Sequence, residues 1–546
     1  MSLHAARRLP RLKRGHPRRP IEGAGARRRA RVNGNAAEFF VDRHVREGRG
    51  ERTAFVDPWR SLTYAELHAA SGRFAAALGR AGIGRERRLA LVMLDTVDFP
   101  VAFWGALRAG VVPVPVNTLL PPDQLAYILA DSRAEGLVVS APLLPALLPV
   151  LDQLPDLRRV VVASPDGAPP EPAGPGQIGF AEFIAAEQPG ADPVAASADE
   201  VAFWLYSSGS TGAPKGARHV HGSLRATADT YGAQVLGIAP DDVMFSAAKL
   251  FFAYGLGNSM TFPMAVGAQA VLLPDRPTPA AVLAAMQRFR PTIFGGVPTL
   301  YAGLLADPAI GPGAGSARLR RCISAGEALP APLGERWSAT VGVDILDGIG
   351  STEMLHIFVS NQPGRLRYGT SGVPVPGYAV RIVDEAGADV ADGESGELLV
   401  NGPSAAEGYW NQRAKSRHTF AGEWTRTGDT YIRDPDGMYR YCGRADDMFK
   451  VSGIWVSPFE VEGALVSHPA VLEAAVVARE DRDGLTKPLA FIVLREPADG
   501  ALHERLKEHV KSQVGPWKYP RWIEVVDALP KTATGKIQRY KLRGLA

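Results

Sequence analysis

The chain has 546 residues, 46% of them hydrophobic and 22% charged, values that suit a soluble globular protein too long for a single hydrophobic core. Its net charge of +4 comes from its start. Residues 1–33 hold eleven Arg or Lys against one acid, Glu22, a local +10 that leaves −6 for the remainder, so a nucleic-acid role cannot be argued from the overall charge. Two distant cysteines, Cys322 and Cys442, give neither a disulfide framework nor a metal-binding spacing, and they suit a reducing compartment, expected to be the cytoplasm.

In chain order, residues 1–32 form a basic tail broken by Pro10, Pro17 and Pro20, without apolar periodicity, and are expected to be disordered. The tail lacks the apolar stretch of a secretory signal; it is Arg-rich and acid-poor like a transit peptide but poor in Ser. A dispensable extension is expected, with targeting or RNA contact as alternatives. From Asn33 onward helical and strand patterns alternate. Thr63 and Glu66 form a predicted capping box, after which Tyr64, Leu67, Phe74 and Leu78 share one helical face. Leu89–Leu94 is a predicted strand, Phe99–Ala109 a helix and Val111–Val116 a strand. This alternation predicts α/β layers around largely parallel sheets. Val101–Val116 and Pro142–Leu154 are interrupted by Arg108 and prolines before the roughly 18 apolar residues of a membrane span, so no membrane association is expected. Residues 164–198 and Asp307–Ala317, rich in Pro, Gly and Ala, are expected to be surface connections.

The last hundred or so residues predict a compact α+β unit. Ser457 is expected to cap a helix with Pro458 at its first position and Glu460 reaching back, and Val461 and Leu465 give it a buried face. Strands over Val471–Ala478 and Pro488–Leu494, an amphipathic helix over Leu502–Val514 and a short strand over Ile523–Val526 follow.

The segment richest in chemistry runs from Tyr206 to Gly216, after the apolar strand Val201–Leu205. A polyphosphate needs backbone N–H groups, hydroxyl donors and a cation at close range. Gly209, Gly212 and Gly216 let the backbone approach, Ser207, Ser208, Ser210 and Thr211 carry hydroxyls, and Lys215 carries charge. Pro214, five places after Gly209, breaks the Walker spacing. A plain Gly/Ser linker would need neither the preceding strand nor Pro214-Lys215-Gly216.

This segment resembles the signature loop of the acyl-adenylate-forming superfamily of AMP-binding acyl-CoA synthetases, and the resemblance extends from about Asn33 to Leu542. It implies a large multi-subdomain N-terminal α/β domain over 33–445 and a small mobile C-terminal α+β domain over 446–546, hinged at Asp446. Further motifs carry it. Ser324-Ala325-Gly326-Glu327 resembles the segment lining the adenine pocket, giving Ala325, Gly326 and Glu327 that role. In Asp347-Gly348-Ile349-Gly350-Ser351-Thr352-Glu353 the resemblance assigns nucleotide contacts to Asp347, Gly348 and Ile349, phosphate contact to Thr352 and Mg²⁺ to Glu353. Ile349 stands where most relatives carry an aromatic residue, which weakens stacking on adenine. Thr427-Gly428-Asp429 and Gly443-Arg444-Ala445-Asp446-Asp447 resemble the ribose motifs, with Asp429 and Arg444 on the sugar. Pro530-Lys531-Thr532-Ala533-Thr534-Gly535-Lys536 resembles the C-terminal motif, with Lys536 the catalytic lysine and a candidate for acetylation.

The resemblance implies two half-reactions. A carboxylate attacks the α-phosphate of ATP, with Lys215, Lys536, Thr352 and Mg²⁺ on Glu353 offsetting charge; coenzyme A then displaces AMP after the C-terminal domain rotates and brings in Lys450, Ser452 and Gly453. Ala248–Gly257 and Asp347–Phe358 resemble benzoate-CoA ligases, placing Ala253, Tyr254, Gly350, His356 and Ile357 around a small aromatic carboxylate, with Phe252 where many relatives have a histidine. The alternative for Phe251, Phe252 and Tyr254 is core packing. Benzoate is the expected acid, in aromatic compound degradation; Tyr254 and His356 leave a hydroxy- or aminobenzoate as an alternative. Loading of a carrier protein and non-catalytic nucleotide binding are the other readings, and a homodimer is an open arrangement. His219 and His221 receive no role.

Overall fold

The computed structural model describes residues 34–545 other than 169–175, 186–187, 189–191, 208–212, 314, 452–453, 483–484, 498–499, 517 and 532–536; of 446, 454 and 455 it describes the backbone alone. Expected tail residues 1–32 therefore lie outside the described residues.

Two largely parallel sheets form the N-terminal part. The larger has nine strands, in the order Val373–Pro374, Ile357–Ser360, Ile345–Gly350, Arg321–Ser324, Ile293–Gly296, Val243–Ser246, Gln269–Val271, Thr53–Val56 and Ser61–Thr63. Its interior pairs, from Ile345–Gly350 to Thr53–Val56, are parallel, and antiparallel strands close both edges. A second sheet of five strands is parallel throughout and includes Arg88–Val92, Val112–Pro115 and Ala134–Ser140. These strands are near-continuous apolar runs because helices cover both of their faces. An antiparallel five-stranded sheet, including Ser395–Asn401, Trp424–Arg433 and Tyr439–Arg444, follows.

The Thr63 capping box forms as expected, opening the helix Tyr64–Arg80 with Tyr64, Leu67, Phe74 and Leu78 fully buried. The helix Asp98–Arg108 is buried along its whole length, and its Arg108 forms an ion pair with buried Asp42. The connection 164–198 departs from expectation: it contains the edge strand Gln177–Gly179 and the helix Phe180–Ala185. Phe180 and Phe183, three apart and so on one helical face, pack against Phe74 with ring centroids at 5.4 and 5.5 Å. Burying each is worth roughly 2–3 kcal/mol, enough to draw this Pro/Gly-flanked segment onto the core.

In the C-terminal part the strands Val471–Glu480, Thr486–Leu494 and Trp522–Val525 form one sheet, covered by the helices Pro458–Val466 and Leu502–Val514. Ser457 caps as expected, its Oγ accepting from the Glu460 N–H at 3.1 Å. Glu460 does not reach back as expected. Its carboxylate meets Lys518 Nζ at 2.5 Å, a charged partner that outcompetes a backbone N–H. Among the described residues no helix is long and apolar enough to cross a membrane.

Candidate active site

The carboxyl ends of four neighbouring parallel strands lie side by side in the larger sheet. Ser246 pairs with Gly295, Gly296 with Ser324 and Ser324 with Asp347. The crevice beyond such ends is where open α/β sheets bind ligands. Beyond Asp347 the strand pairs antiparallel with Ile357–Ser360, with a bulge between Ile349 and Gly350. Gly350 is required there, since a Cβ would lie 2.6 Å from the His356 carbonyl oxygen. Leu355 at φ 64°, a region that L residues rarely adopt, completes the tight turn. The turn carries Thr352 and Glu353 off the sheet and returns His356 and Ile357 to it.

Ser207 and Lys215 face each other across the antiparallel strands Val201–Ser207 and Lys215–Val220. The phosphate loop is thus the connection of a hairpin and does not open a helix as a Walker loop does. Its Ser208, Gly209, Ser210, Thr211 and Gly212 lie outside the described residues. The Ser207 hydroxyl is buried with no hydrogen-bond partner among the described residues.

Lys215 Nζ stands 3.5 Å from Glu353 Oε1, and the Tyr409 hydroxyl bridges them, accepting from Lys215 at 2.9 Å and donating to Glu353 at 2.7 Å. Burial opposes ionisation of Glu353. The Lys215 charge and the Tyr409 bond outweigh it and hold the carboxyl below its ordinary value. The residues around Tyr409 run beside the hairpin strand: Trp410 N–H donates to the Gly216 carbonyl at 2.8 Å, and Ala406 N–H to the Glu353 carbonyl at 2.8 Å. His219, left without a role by its sequence, is buried and holds the Thr352 carbonyl at 2.8 Å through Nε2.

In the expected adenine segment Ala325 is buried, Gly326 turns the chain at φ 92° and Glu327 is half-exposed. Asp347 is buried and accepts from the Leu329 N–H at 3.4 Å, tying the two motifs together, and burial pushes its carboxyl up to about 8. Gly348 is buried and Ile349 packs half-buried against the main core. Asp429 and Arg444 are paired across adjacent strands, with Arg444 Nη1 donating to Asp429 Oδ1 at 3.0 Å.

The expected acyl residues gather around His356. Its buried ring lies 4.6 Å from Phe262, 4.9 Å from Tyr231 and 5.6 Å from Tyr254 by centroids, and it presses on Gly257, whose Cβ would fall 2.5 Å from His356 Cδ2. Ala253 and Ile357 are buried in the same cluster. Burial pushes the imidazole down to about 3, so it is neutral. Both of its nitrogens, the Tyr231 hydroxyl and the Asn258 amide have no hydrogen-bond partner among the described residues. The Tyr254 hydroxyl, expected to face the acid, is instead committed to the carbonyls of Gly296 and Ile323 at 3.2 and 3.1 Å. The Ile323 carbonyl also accepts from the Tyr301 hydroxyl at 2.8 Å, so the two phenols meet at one strand end.

In the C-terminal part Lys450 pairs with Glu385 at 3.6 Å on the surface. Ser452, Gly453 and Lys536 lie outside the described residues, as does the side chain of Asp446. Asp447 is held by Arg539 and Arg543 from the final segment.

A family model described as AMP-binding enzyme matches residues 41–410, and one described as AMP-binding enzyme C-terminal domain matches 460–536. The chain is 56% identical to a 4-hydroxybenzoate–CoA/benzoate–CoA ligase of Rhodopseudomonas palustris, over 93% of this chain and 94% of that one. It is 53% identical to a benzoate–CoA ligase of Thauera aromatica, over 93% and 95% of the two chains. The crystal structure of a benzoate CoA ligase from Burkholderia xenovorans LB400 superposes with a TM-score of 0.85 at 51% identity, covering 94% of this chain and 99% of that one. With these matches over nearly its full length, the chain belongs to the AMP-binding enzyme family.

Proposed function

We propose that this protein is an AMP-forming ligase that joins benzoate to coenzyme A through a benzoyl-adenylate, consuming ATP and releasing AMP and diphosphate. The observation that carries this reading is the Lys215–Tyr409–Glu353 cluster, whose Glu353 lies three residues before the His356 of the aromatic cluster, in a chain alike throughout to ligases for benzoate and 4-hydroxybenzoate.

A carboxylate is a poor acyl electrophile because its charge is delocalised. Attack of its oxygen on the α-phosphorus of ATP expels diphosphate and leaves AMP as a good leaving group; the thiol of coenzyme A then attacks the carbonyl, releases AMP and loses its proton. At about 4 Å each like-charged pair in the first step costs roughly 4 kcal/mol at an effective dielectric near 20. Lys215 and Lys536 offset that repulsion by stabilising charge on the phosphates. Asp429 and Arg444 take the ribose, Thr352 a phosphate, and Ala325, Gly326, Glu327, Asp347, Gly348 and Ile349 surround adenine. Glu353 suits Mg²⁺: an ionised single carboxylate fits a cation that arrives on phosphate oxygens, whereas the described residues contain no group of three or more metal-binding side chains. Bound there, Mg²⁺ supplies charge neutralisation. The neutral His356 ring, with Ala253, Gly350 and Ile357, lines the slot for the aromatic ring. The second half-reaction uses a rotation about Asp446 that replaces Lys536 by the segment holding Lys450, Ser452 and Gly453. A cytoplasmic location fits the two free, buried cysteines.

A second reading is favoured by one observation. The unpartnered polar atoms of Tyr231, Asn258 and His356 suit an acid with a ring hydroxyl or amine. Thioester formation from a panel of benzoate, hydroxybenzoates and aminobenzoates, with ATP, Mg²⁺ and CoA, decides between them. A kcat/KM for benzoate well below that for a substituted acid overturns benzoate as the substrate, and no CoA-thioester from any acid overturns the ligase.

A further inference from the structure

We infer that Tyr409 is a positioning residue that presets Lys215 and Glu353 for nucleotide by holding each of them through its hydroxyl. The inference rests on the reading of that pair as nucleotide-binding. An ammonium can only donate and a carboxylate can only accept, so the phenol must accept from Lys215 and donate to Glu353; its one proton is committed in one direction. The two charges stand 3.5 Å apart, farther than the roughly 2.8 Å of a direct charged hydrogen bond. Without the hydroxyl, Glu353 loses a neutral hold that would persist when Lys215 turns to phosphate, so the cost falls where the cation is held. When Lys215 turns to phosphate, the phenolic proton still fixes the Glu353 carboxylate.

The position of the hydroxyl is set by backbone rather than by the pair itself. Tyr409 bridges Ala217, its N–H donates to Ser416 Oγ at 2.9 Å, and its ring packs on Phe420 at 5.4 Å. The ring also lies 4.4 Å from Lys215 Nζ, a contact that phenylalanine preserves. Tyr409→Phe therefore removes the hydroxyl and little else.

The test is calorimetric affinity for ATP, with and without Mg²⁺, of full-length protein. Tyr409→Phe is expected to weaken Mg-ATP binding about tenfold and ATP alone by less than about threefold, since a bond to a charged group is lost where the cation is held. Lys215→Ala and Glu353→Gln serve as references, and thermal melting checks that each variant is folded. Equal weakening with and without Mg²⁺ marks a structural role and overturns the proposal. So does an unchanged Mg-ATP affinity in Tyr409→Phe while the two reference variants bind weakly. Unchanged affinity in all three variants overturns the nucleotide reading of the pair, and the inference with it.

Discussion

Gly257→Ala tests the acyl slot through one methyl group. Gly257 has ordinary helical backbone angles, so alanine is conformationally acceptable there and the effect is steric. The added Cβ would sit 2.5 Å from His356 Cδ2 and 3.0 Å from Phe262 Cζ. Restoring a normal carbon–carbon separation of ~3.5 Å requires the imidazole to move by about 1 Å. Phe262, Tyr231 and Tyr254 surround the ring, so this shift is taken up on the side where the substrate ring is proposed to lie. Overpacking of this kind costs about 1–3 kcal/mol of folding stability, and a misplacement of ~1 Å at the acid slot is expected to cost on the order of 100-fold in kcat/KM for benzoate. Steady-state AMP release, with benzoate and ATP varied separately, is expected to show that loss for benzoate and a change of less than about twofold in KM for ATP. Adding His356→Ala gives the methyl group room. The double variant is expected to be coupled by about 1 kcal/mol or more relative to the two single variants. A folded Gly257→Ala protein with an unchanged benzoate KM, or strictly additive variants, refutes the placement of His356 at the acid.

Three further outcomes are expected. Burial raises the Asp347 carboxyl to about 8, so the folded protein holds a proton there that the unfolded chain releases near 3.8; the stability this confers is complete below 3.8 and is lost as pH rises to about 8. Asp347→Asn keeps an acceptor for Leu329 and should gain relative to the parent by up to ~1.4 kcal/mol per pH unit across that window, measured by denaturant unfolding at several pH values. Lys536→Ala should slow benzoate-dependent adenylation while leaving thioester formation from supplied benzoyl-adenylate largely intact; equal loss in both half-reactions counts against the assigned role. Thr63→Ala removes a complete capping box and should cost about 1 kcal/mol in unfolding free energy without altering KM for any substrate.

What the sequence made legible is mostly what neighbouring residues decide among themselves. Thr63 and Glu66 bond each other three residues apart, and the branched apolar run Val111–Val116, predicted as a strand, contains the buried strand Val112–Pro115. The Asp347–Glu353 string stood out through its resemblance to the family motif, whereas the bulge and the turn at Leu355 were not read from the sequence. Tyr409 was not. It reaches Lys215 across 194 residues because the Ala406–Trp410 strip docks on the hairpin, and no local pattern announces that docking. Phe180 and Phe183 were hidden by the prolines and glycines around them, and the commitments of Tyr254 and Glu460 were set by tertiary partners, strand-end carbonyls and Lys518. His219 drew no role because its task is to support the Thr352 backbone, which no motif spells.

The strand Tyr439–Arg444 ends on the guanidinium that holds Asp429, and the proposed pivot begins two residues later. The proposed sugar contact and the proposed pivot are therefore neighbours in the chain. A ligand on Arg444 that favours one of the two proposed orientations would, by thermodynamic reciprocity, bind that orientation more tightly. If the pair takes the ribose and the joint turns as proposed, release of AMP and return of the C-terminal part should respond together to substitutions at residue 444.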